Sequence, residues 1–376
     1  MDTEDYAAVA LSRASGIGPV LYRQLINHFG SAAATLRAAP RDLARLSGVT
    51  TELAGRLKAA SVQKEAEAII EYAERNDIDI LRVGHAGYPT ELAGFERAPA
   101  VLYHRGNTDL GCRRTLAVVG TRKISREAML QIERLLDPLV AYEPLIVSGL
   151  AYGIDTAAHR RALTLGLPTL AVLGSGFRHV YPYANRKLAN DMCRQGGGLL
   201  TEYPPWIKPE REHFPARNRI VAMLGRMTLV VESDLTGGSM ITANMAHGYQ
   251  RKVGACPGRG GDRHTAGCNA LIKEGKAFLI DSPEDVIRLL DWEPAARRQQ
   301  QLQLFHSLPP EERQVVDLLQ GRGEGVKVDL INARLNWPPA KLAGCLLGLE
   351  MQGHISALPG QRYRLSATVP SPPAQP

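Results

Sequence analysis

The sequence predicts an α/β protein with a doubly wound, mostly parallel sheet at its centre, a helical module before it and a winged helix after it. Three observations carry that expectation. Between about Ile78 and Leu290, "TLAVVGTRK", "PLIVSGLAYG", "PTLAVLGSGF", "GGLLTEYPP", "MTLVVESDLTGG" and "AFLIDSP" are short apolar runs separated by helical patterns. They lack polar alternation, which suits strands buried on both faces, and strands alternating with helices give a parallel sheet. Several of them end in Gly-rich turns. In such sheets ligands bind at the carboxyl ends of the strands, so these turns are expected to share one crevice.

The elements in order give five segments. Residues 1–77 read as helical throughout. "LSRASGIGPVLYRQLINHFG" sets Gly16 and Gly18 between two helical patterns, and "LARLSGVTTELAGRL" repeats the scheme around Gly48. Helix, Gly-containing turn, helix is the form of a helix-hairpin-helix, whose turn amides can contact a DNA phosphate or serve packing alone. Residues 78–290 form the sheet segment. Residues 291–307 are a Gln- and Arg-rich linker, expected to be exposed. In residues 308–366, "LPPEERQVVDLLQG" is a helix opened by Pro and closed by Gly, a helix-turn-helix follows, and "ISALPGQRYRL" is a hairpin. The presumed recognition helix has Lys341 as its only Lys or Arg and is apolar on too many sides, which favours docking to protein over reading duplex DNA. The Pro-rich tail, 367–376, is expected to be disordered.

Composition narrows the classes. The 376 residues are 44% hydrophobic and 22% charged, with a formal net charge of +7. A basic excess fits a polyanionic partner and fits equally a basic soluble protein without one. Cys112, Cys193, Cys256, Cys268 and Cys345 are scattered, without a Cys-x-x-Cys pair, which suits a reducing cytosol. Cys256, His264 and Cys268 lie close together, but a fourth ligand is missing, so no metal is expected. An acidic N-terminus and no membrane-length apolar run point to the cytoplasm, with no membrane partner.

Four turns compose the expected site. Gly120 ends the first strand and Arg122 follows, with Ser125 placed to cap the next helix. Gly149 ends the second, and Asp155 and His159 share a helix face, read as a structural cap with a hydrogen-bonded His. Gly174, Ser175 and Gly176 form the third turn, followed by His179. "WIKPEREHFPARNRIVAML" supplies Lys208, Arg211, Phe214, Arg217, Asn218 and Arg219. Cations interleaved with an aromatic suit a single strand, whose phosphates need charge and whose bases stack. The fourth turn, Gly237, Gly238 and Ser239, opens a helix whose N-terminus attracts an anion. Arg251 and Lys252, after that helix, are candidates for the sheet edge or plain helix-end charges.

Together these motifs resemble the DNA-processing protein A (DprA, or Smf) family: "VVGTRKIS", "SGLAYGIDTAAHRRAL", "GSGFRHVYPYANRKLA", "EYPPWIKPEREHFPARNRIVAML" and "VVESDLTGGSMITANMAHGYQRKVGACPG" stand in the family's order and spacing. The resemblance implies a SAM- or helix-hairpin-helix-like module, an extended Rossmann domain and a winged helix. It implies a non-enzymatic, cofactor-free protein that binds single-stranded DNA, forms a homodimer and loads the RecA recombinase in natural transformation. By resemblance Arg122 is the cation of the Gly-x-Arg turn, and Arg211 and Phe214 are the pocket cation and stacking aromatic. Ser175, Gly176, Gly238 and Ser239 are phosphate contacts. Leu271, Ile272, Phe278 and Ile280, in "NALIKEGKAFLI", lie in the implied dimer and RecA surface.

Two other readings stay open. A Rossmann-type nucleotide phosphoribohydrolase would place glutamates where this chain has Ala243 and Asn244, leaving Glu202 and Glu232 as its carboxylates. A winged-helix regulator would bind duplex DNA.

Overall fold

The computed structural model describes residues 3–294, 309–319, 325–352 and 354–365, which form two compact units divided after Trp292. Of the expected linker, residues 295–307 lie outside the described residues, as does the whole tail 367–376; Trp292, expected in that exposed linker, is instead buried in the core of the first unit.

The first unit opens with helices α1 (Thr3–Arg13), α2 (Pro19–Phe29), α3 (Ala32–Arg37), α4 (Pro40–Leu43), α5 (Thr51–Leu57) and α6 (Ala60–Arg75). Gly16 and Gly48 turn the chain at φ +99° and +87°, a region that other residues rarely enter. The helices close on Leu11, Tyr22, Leu25 and Leu57, and this core continues without a break onto the sheet through Tyr103, Leu150, Leu173 and Phe177. Arg82 pairs with Asp5 at 2.8 Å, and the Arg178 guanidinium lies 4.8 Å from the Tyr72 ring centre. These contacts bind the helical module to the sheet.

Among the described residues the sheet has nine strands: β1 (Asp79–Arg82), β2 (Val101–Gly106), β3 (Thr115–Val119), β4 (Leu145–Ser148), β5 (Thr169–Val172), β6 (Gly198–Thr201), β7 (Met227–Val230), β8 (Lys252–Ala255) and β9 (Phe278–Leu279). Their spatial order is β1-β2-β6-β5-β4-β3-β7-β8-β9. β6 through β9 run parallel, while β2 is antiparallel to both β1 and β6. The six strands from β5 to β9 reproduce the doubly wound order 3-2-1-4-5-6. The extension beyond them is what makes this Rossmann sheet an extended one. The order reverses at β3, which pairs with β4 on one side and β7 on the other, in register Leu116↔Ile146 and Val119↔Val230. β3, β4, β5, β6 and β7 are buried at every residue, as their unbroken apolar sequences require.

Helices cover both faces: α8 (Arg126–Leu136), α9 (Ile154–Thr164), α10 (Arg186–Arg194), α11 (His213–Leu224), α12 (Gly238–Gly248), α13 (Ala266–Lys273) and α14 (Pro283–Leu290), with a short α7 (Thr90–Ala93) before β2. The Ser125 side chain caps α8, accepting from Ala128 N–H at 3.1 Å. No helix among the described residues is long and apolar enough to cross a membrane.

The second unit is a winged helix. Helices α15 (Pro310–Leu319), α16 (Val328–Leu335) and α17 (Pro339–Met351) pack with strands β10 (Val326–Lys327), β11 (Ile355–Leu358) and β12 (Arg362–Leu365) around Val315, Ile331, Leu346 and Leu349. In α17, the presumed recognition helix, Lys341 pairs with Glu311 at 2.6 Å and sits 4.8 Å from the Trp337 ring centre. Leu347 and Met351 on the same helix are exposed.

Candidate nucleic-acid interface

The parallel sheet opens a crevice where its order reverses. The turns after β3, β4 and β7 meet there with α11 and the start of α12, around a cavity of about 340 Å³. Gly120, Arg122, Gly149, Phe214, Asn218 and Gly238 are among its lining residues. The turns are tied to one another by backbone: Thr121 N–H donates to Glu232 C=O at 2.8 Å, and Ile154 N–H donates to Thr121 C=O at 3.1 Å. Gly153, at φ +77°, lets the β4–α9 loop press on the β3 turn, since a Cβ there would lie 2.2 Å from Thr121 O. Gly120 is likewise a packing requirement, with Ile154 Cγ1 and Glu232 O at 2.4 and 2.8 Å from its absent Cβ.

On the rim, the exposed Arg122 guanidinium lies 5.7 Å from the Phe214 ring centre, and Phe214 meets the Tyr181 ring at 5.6 Å. Across from them α12 begins at Gly238 with no side chain capping its N-terminus. Met240 N–H donates to Gly237 C=O at 3.0 Å, which leaves the N–H groups of Gly238 and Ser239 at the positive end of the helix dipole. Ser239 donates its hydroxyl to Ser233 Oγ at 2.7 Å, so its backbone N–H, rather than its O–H, is what it offers a ligand. Asp234 also lines the cavity, and the exposed Arg263 holds its carboxylate at 2.7 Å. That hydrogen bond lowers the Asp234 pKa and matches its charge.

Arg217 is the floor of the crevice. It is 4% exposed and donates from Nη1 to the carbonyls of Gly149 and Val172. Burial depresses its pKa, while the neighbouring Asp155 opposes that shift. Asp155 accepts from the N–H groups of Gly149 and Ala151 at 3.1 and 3.3 Å, so it braces the β4 loop, although Gly153 is the N-cap of α9. Burial raises the Asp155 pKa against the pull of Arg217. His159 lies behind them, fully buried, with Nδ1 2.7 Å from Thr169 Oγ1. Thr169 spends its own proton on Ile146 C=O, so His159 Nδ1 carries the hydrogen and Nε2 is bare. Burial and Arg217 push this imidazole down to about 3, which keeps it neutral.

Several expected contacts lie elsewhere. Arg217 is not a free pocket cation, because its guanidinium is committed to the backbone beneath. Gly174, Ser175 and Gly176 are buried rather than presented. Gly176 N–H donates to Ile207 C=O at 2.9 Å, Ser175 donates to His179 C=O at 2.7 Å, and a Cβ on Gly176 would meet Pro204 O at 1.9 Å. Gly176 is thus closed off by the 204–207 segment, while Gly174 packs beneath the rim, where a Cβ would lie 3.2 Å from Phe214 Cδ1, so both glycines serve packing. His179 belongs to a 3-10 turn bonded to Gly176 C=O. Arg219 pairs with Glu202 and donates to Arg97 C=O at 2.8 Å. Arg251 and Lys252 stand at the amino end of β8, the edge opposite the crevice. There Arg251 pairs with Glu91 at 2.7 Å and Lys252 donates to Leu289 C=O. Lys208 and Arg211 are exposed on the segment before α11 and do not line the cavity. Leu271 and Ile280 are core residues, 1% and 0% exposed, and cannot face a partner, whereas Ile272 is half-buried and Phe278 is exposed on edge strand β9.

The sequence reading passed over Tyr152, Asp234 and Arg263. Tyr152 and Tyr181 flank Arg122 and Phe214, and the "AYGID" loop that follows a strand end was the available signal for Tyr152. Glu202 and Glu232 are not in the crevice lining. Glu232 is buried and accepts from Ser125 N–H at 2.9 Å. Among the described residues no group of three His, Cys, Asp or Glu side chains is arranged to hold a metal.

Comparison with known proteins matches the same three segments. Residues 2–68 match a DprA-like N-terminal HHH domain, and residues 293–361 match the DprA winged helix domain. Protein Smf of Escherichia coli is 33% identical over 81% of this chain and 82% of its own. DNA processing protein DprA of Streptococcus pneumoniae is 43% identical over 53% and 70%. The X-ray structure of the Streptococcus pneumoniae protein superposes with a TM-score of 0.62 at 32% identity, covering 78% of this chain and 99% of that one. DNA processing protein A from Helicobacter pylori, solved for its single-stranded DNA binding mode, superposes with a TM-score of 0.52 at 28% identity over 57% and 97%. Residues 79–291, the whole sheet and its crevice, match the DNA recombination-mediator protein A model, and the chain belongs to that family.

Proposed function

We propose that the crevice binds single-stranded DNA, and that the protein protects incoming strands and passes them to RecA during natural transformation. The observation that carries this reading is the opposition of Arg122 and Phe214 on one rim to the uncapped N-terminus of α12 on the other. One side supplies a cation and a ring for a base, the other supplies backbone donors for a phosphate. The binding mode named for the Helicobacter pylori protein supports it. The protein acts without catalysis on this reading. Asp155 is held by backbone amides and Asp234 by Arg263, so no carboxylate is left as a general base for water. On this reading Lys208 and Arg211, exposed before α11 and outside the cavity lining, contact the strand beyond the crevice.

We assign homodimerisation to the β9 edge, where Phe278 and Leu279 are both exposed and unpaired backbone invites a second strand. RecA engages an overlapping surface on this reading, and the winged helix docks protein rather than duplex.

Gel shifts with single- and double-stranded oligonucleotides of one sequence test the DNA reading. Single strands should bind more tightly, with affinity that falls as salt rises because phosphate contacts release counterions. A preference for duplex, or release of free base from a nucleoside monophosphate, would overturn it in favour of a regulator or a phosphoribohydrolase.

A further inference from the structure

A second concave surface begins where the crevice ends. Tyr152 lines both a narrow cleft with Arg122, Tyr181 and Phe214 and a groove of about 450 Å³ between α8, α9 and the turn before α10. The groove floor is apolar, from Met129, Ile132 and Ala157. Its cations are Arg160, exposed and without an acidic partner among the described residues, and Arg161. Its one acid, Glu133, faces Arg161 at 3.8 Å, and Arg161 is already paired with Asp137, so Arg160 is the cation the groove offers a ligand. Its far wall is Ala184 and Asn185, and next to them in sequence Tyr183 is 75% exposed with the Arg186 guanidinium 5.2 Å from its ring centre. That wall is fixed: Asn185 donates to Leu150 C=O at 2.9 Å and to Thr156 Oγ1 at 2.8 Å, which ties the 183–185 turn to the β4–α9 loop and to the first turn of α9.

We propose that this groove is a second nucleic-acid track, continuous with the crevice, that carries the next few nucleotides of the same single strand. The inference rests on the crevice holding DNA. Exposed tyrosines alternating with arginines are a poor surface to leave in water and a good one for a strand. Each ring offers a face to a base, and each guanidinium offers a fork to a phosphate. The exposed Arg160 and Arg186 and the shared Tyr152 select a polyanion that leaves the crevice over an acidic or neutral protein partner. On this reading Phe214, Tyr181, Tyr152 and Tyr183 are successive stacking platforms. Arg160 and Arg186 neutralise the backbone beside the last two.

The test compares oligothymidylates of about 6 and about 20 nucleotides, one near and one beyond the reach of a single small binding site. It uses the full chain, as wild type, Arg122→Ala, and Arg160→Glu combined with Tyr183→Ala. The groove variant should bind the long strand on the order of tenfold more weakly and the short strand as wild type does. Its log-affinity against log-salt slope for the long strand should be shallower by about 0.7 per lost phosphate contact. Arg122→Ala should weaken both lengths. Equal loss on both lengths in the groove variant, or no loss on either, overturns the track while leaving the crevice in place. If Arg122→Ala binds both lengths as wild type does, the crevice reading itself fails.

Discussion

The guanidinium of Arg217 occupies the space that a side chain at Gly149 would need: a Cβ there would lie 2.6 Å from Cζ, Nη1 and Nη2. The arginine cannot swing aside without abandoning the Gly149 and Val172 carbonyls and the buried Asp155. Gly149→Ala should therefore destabilise the protein by about 1–3 kcal/mol, as overpacked interiors do. Arg217→Met should cost about 3–5 kcal/mol, because it strands a buried carboxyl and two carbonyls. Urea unfolding midpoints check both. An Arg217→Met protein as stable as wild type would return Arg217 to the list of DNA cations.

Arg122 and Phe214 should behave in the opposite way. Both stand on the rim, and neither supports the core. Phe214→Ala should lose about 1–3 kcal/mol of single-strand affinity, the worth of one stacked base. Arg122→Ala should weaken binding and flatten its salt dependence. Thermal melts of both should match wild type, and fluorescence anisotropy gives the affinities.

Arg251 should not affect binding at all. It lies on the amino edge of the sheet against Glu91, which is 8% exposed and also held by Arg226 at 3.0 Å. Arg251→Ala should lower stability and leave DNA affinity unchanged, in the same anisotropy and melting assays. A drop in affinity at unchanged stability would mean that DNA reaches the far edge.

His159 makes stability depend on pH. Its folded pKa, about 3, lies below the ordinary imidazole value of 6.5, so the unfolded chain takes up this proton first. The stabilisation is complete above pH 6.5 and is lost as pH falls toward 3, at up to about 1.4 kcal/mol per pH unit. His159→Gln has no such proton to gain and should show a shallower acid limb in unfolding free energy between those values. Parallel curves for the two proteins would refute the assignment.

Edge strand β9 yields the last expectation. Phe278→Glu places a charge on an exposed edge residue and should convert a dimer to a monomer by light scattering, with little loss of monomer stability.

Sequence patterns carried the sheet further than the site. Strands β3 to β7 were legible because burial on both faces leaves unbroken apolar runs. β1 and β2 were not, since "DILR" and "VLYHRG" mix charge with apolar residues and pair antiparallel beyond the doubly wound core. The crevice was legible in Gly120, Arg122, Phe214 and the Gly237–Ser239 turn. The "GSG" turn misled, because a glycine needed for backbone packing reads the same as one needed for a ligand. What closes on Gly176 is Pro204, 28 residues further along. Arg217 misled for the same reason: its acceptors are 68 and 45 residues away, and only the fold brings them beneath it.

The helical module and the sheet share one uninterrupted core, from Leu11 and Leu25 through Tyr103 to Leu173 and Phe177. The boundary near residue 77 is thus a seam in the sequence without a counterpart in the packing. A truncation there would lay open the apolar underside of the sheet, and the remnant would be prone to self-association. Helices and sheet should melt together, as a single cooperative foldon, and evolution can exchange the first segment only by refitting the second.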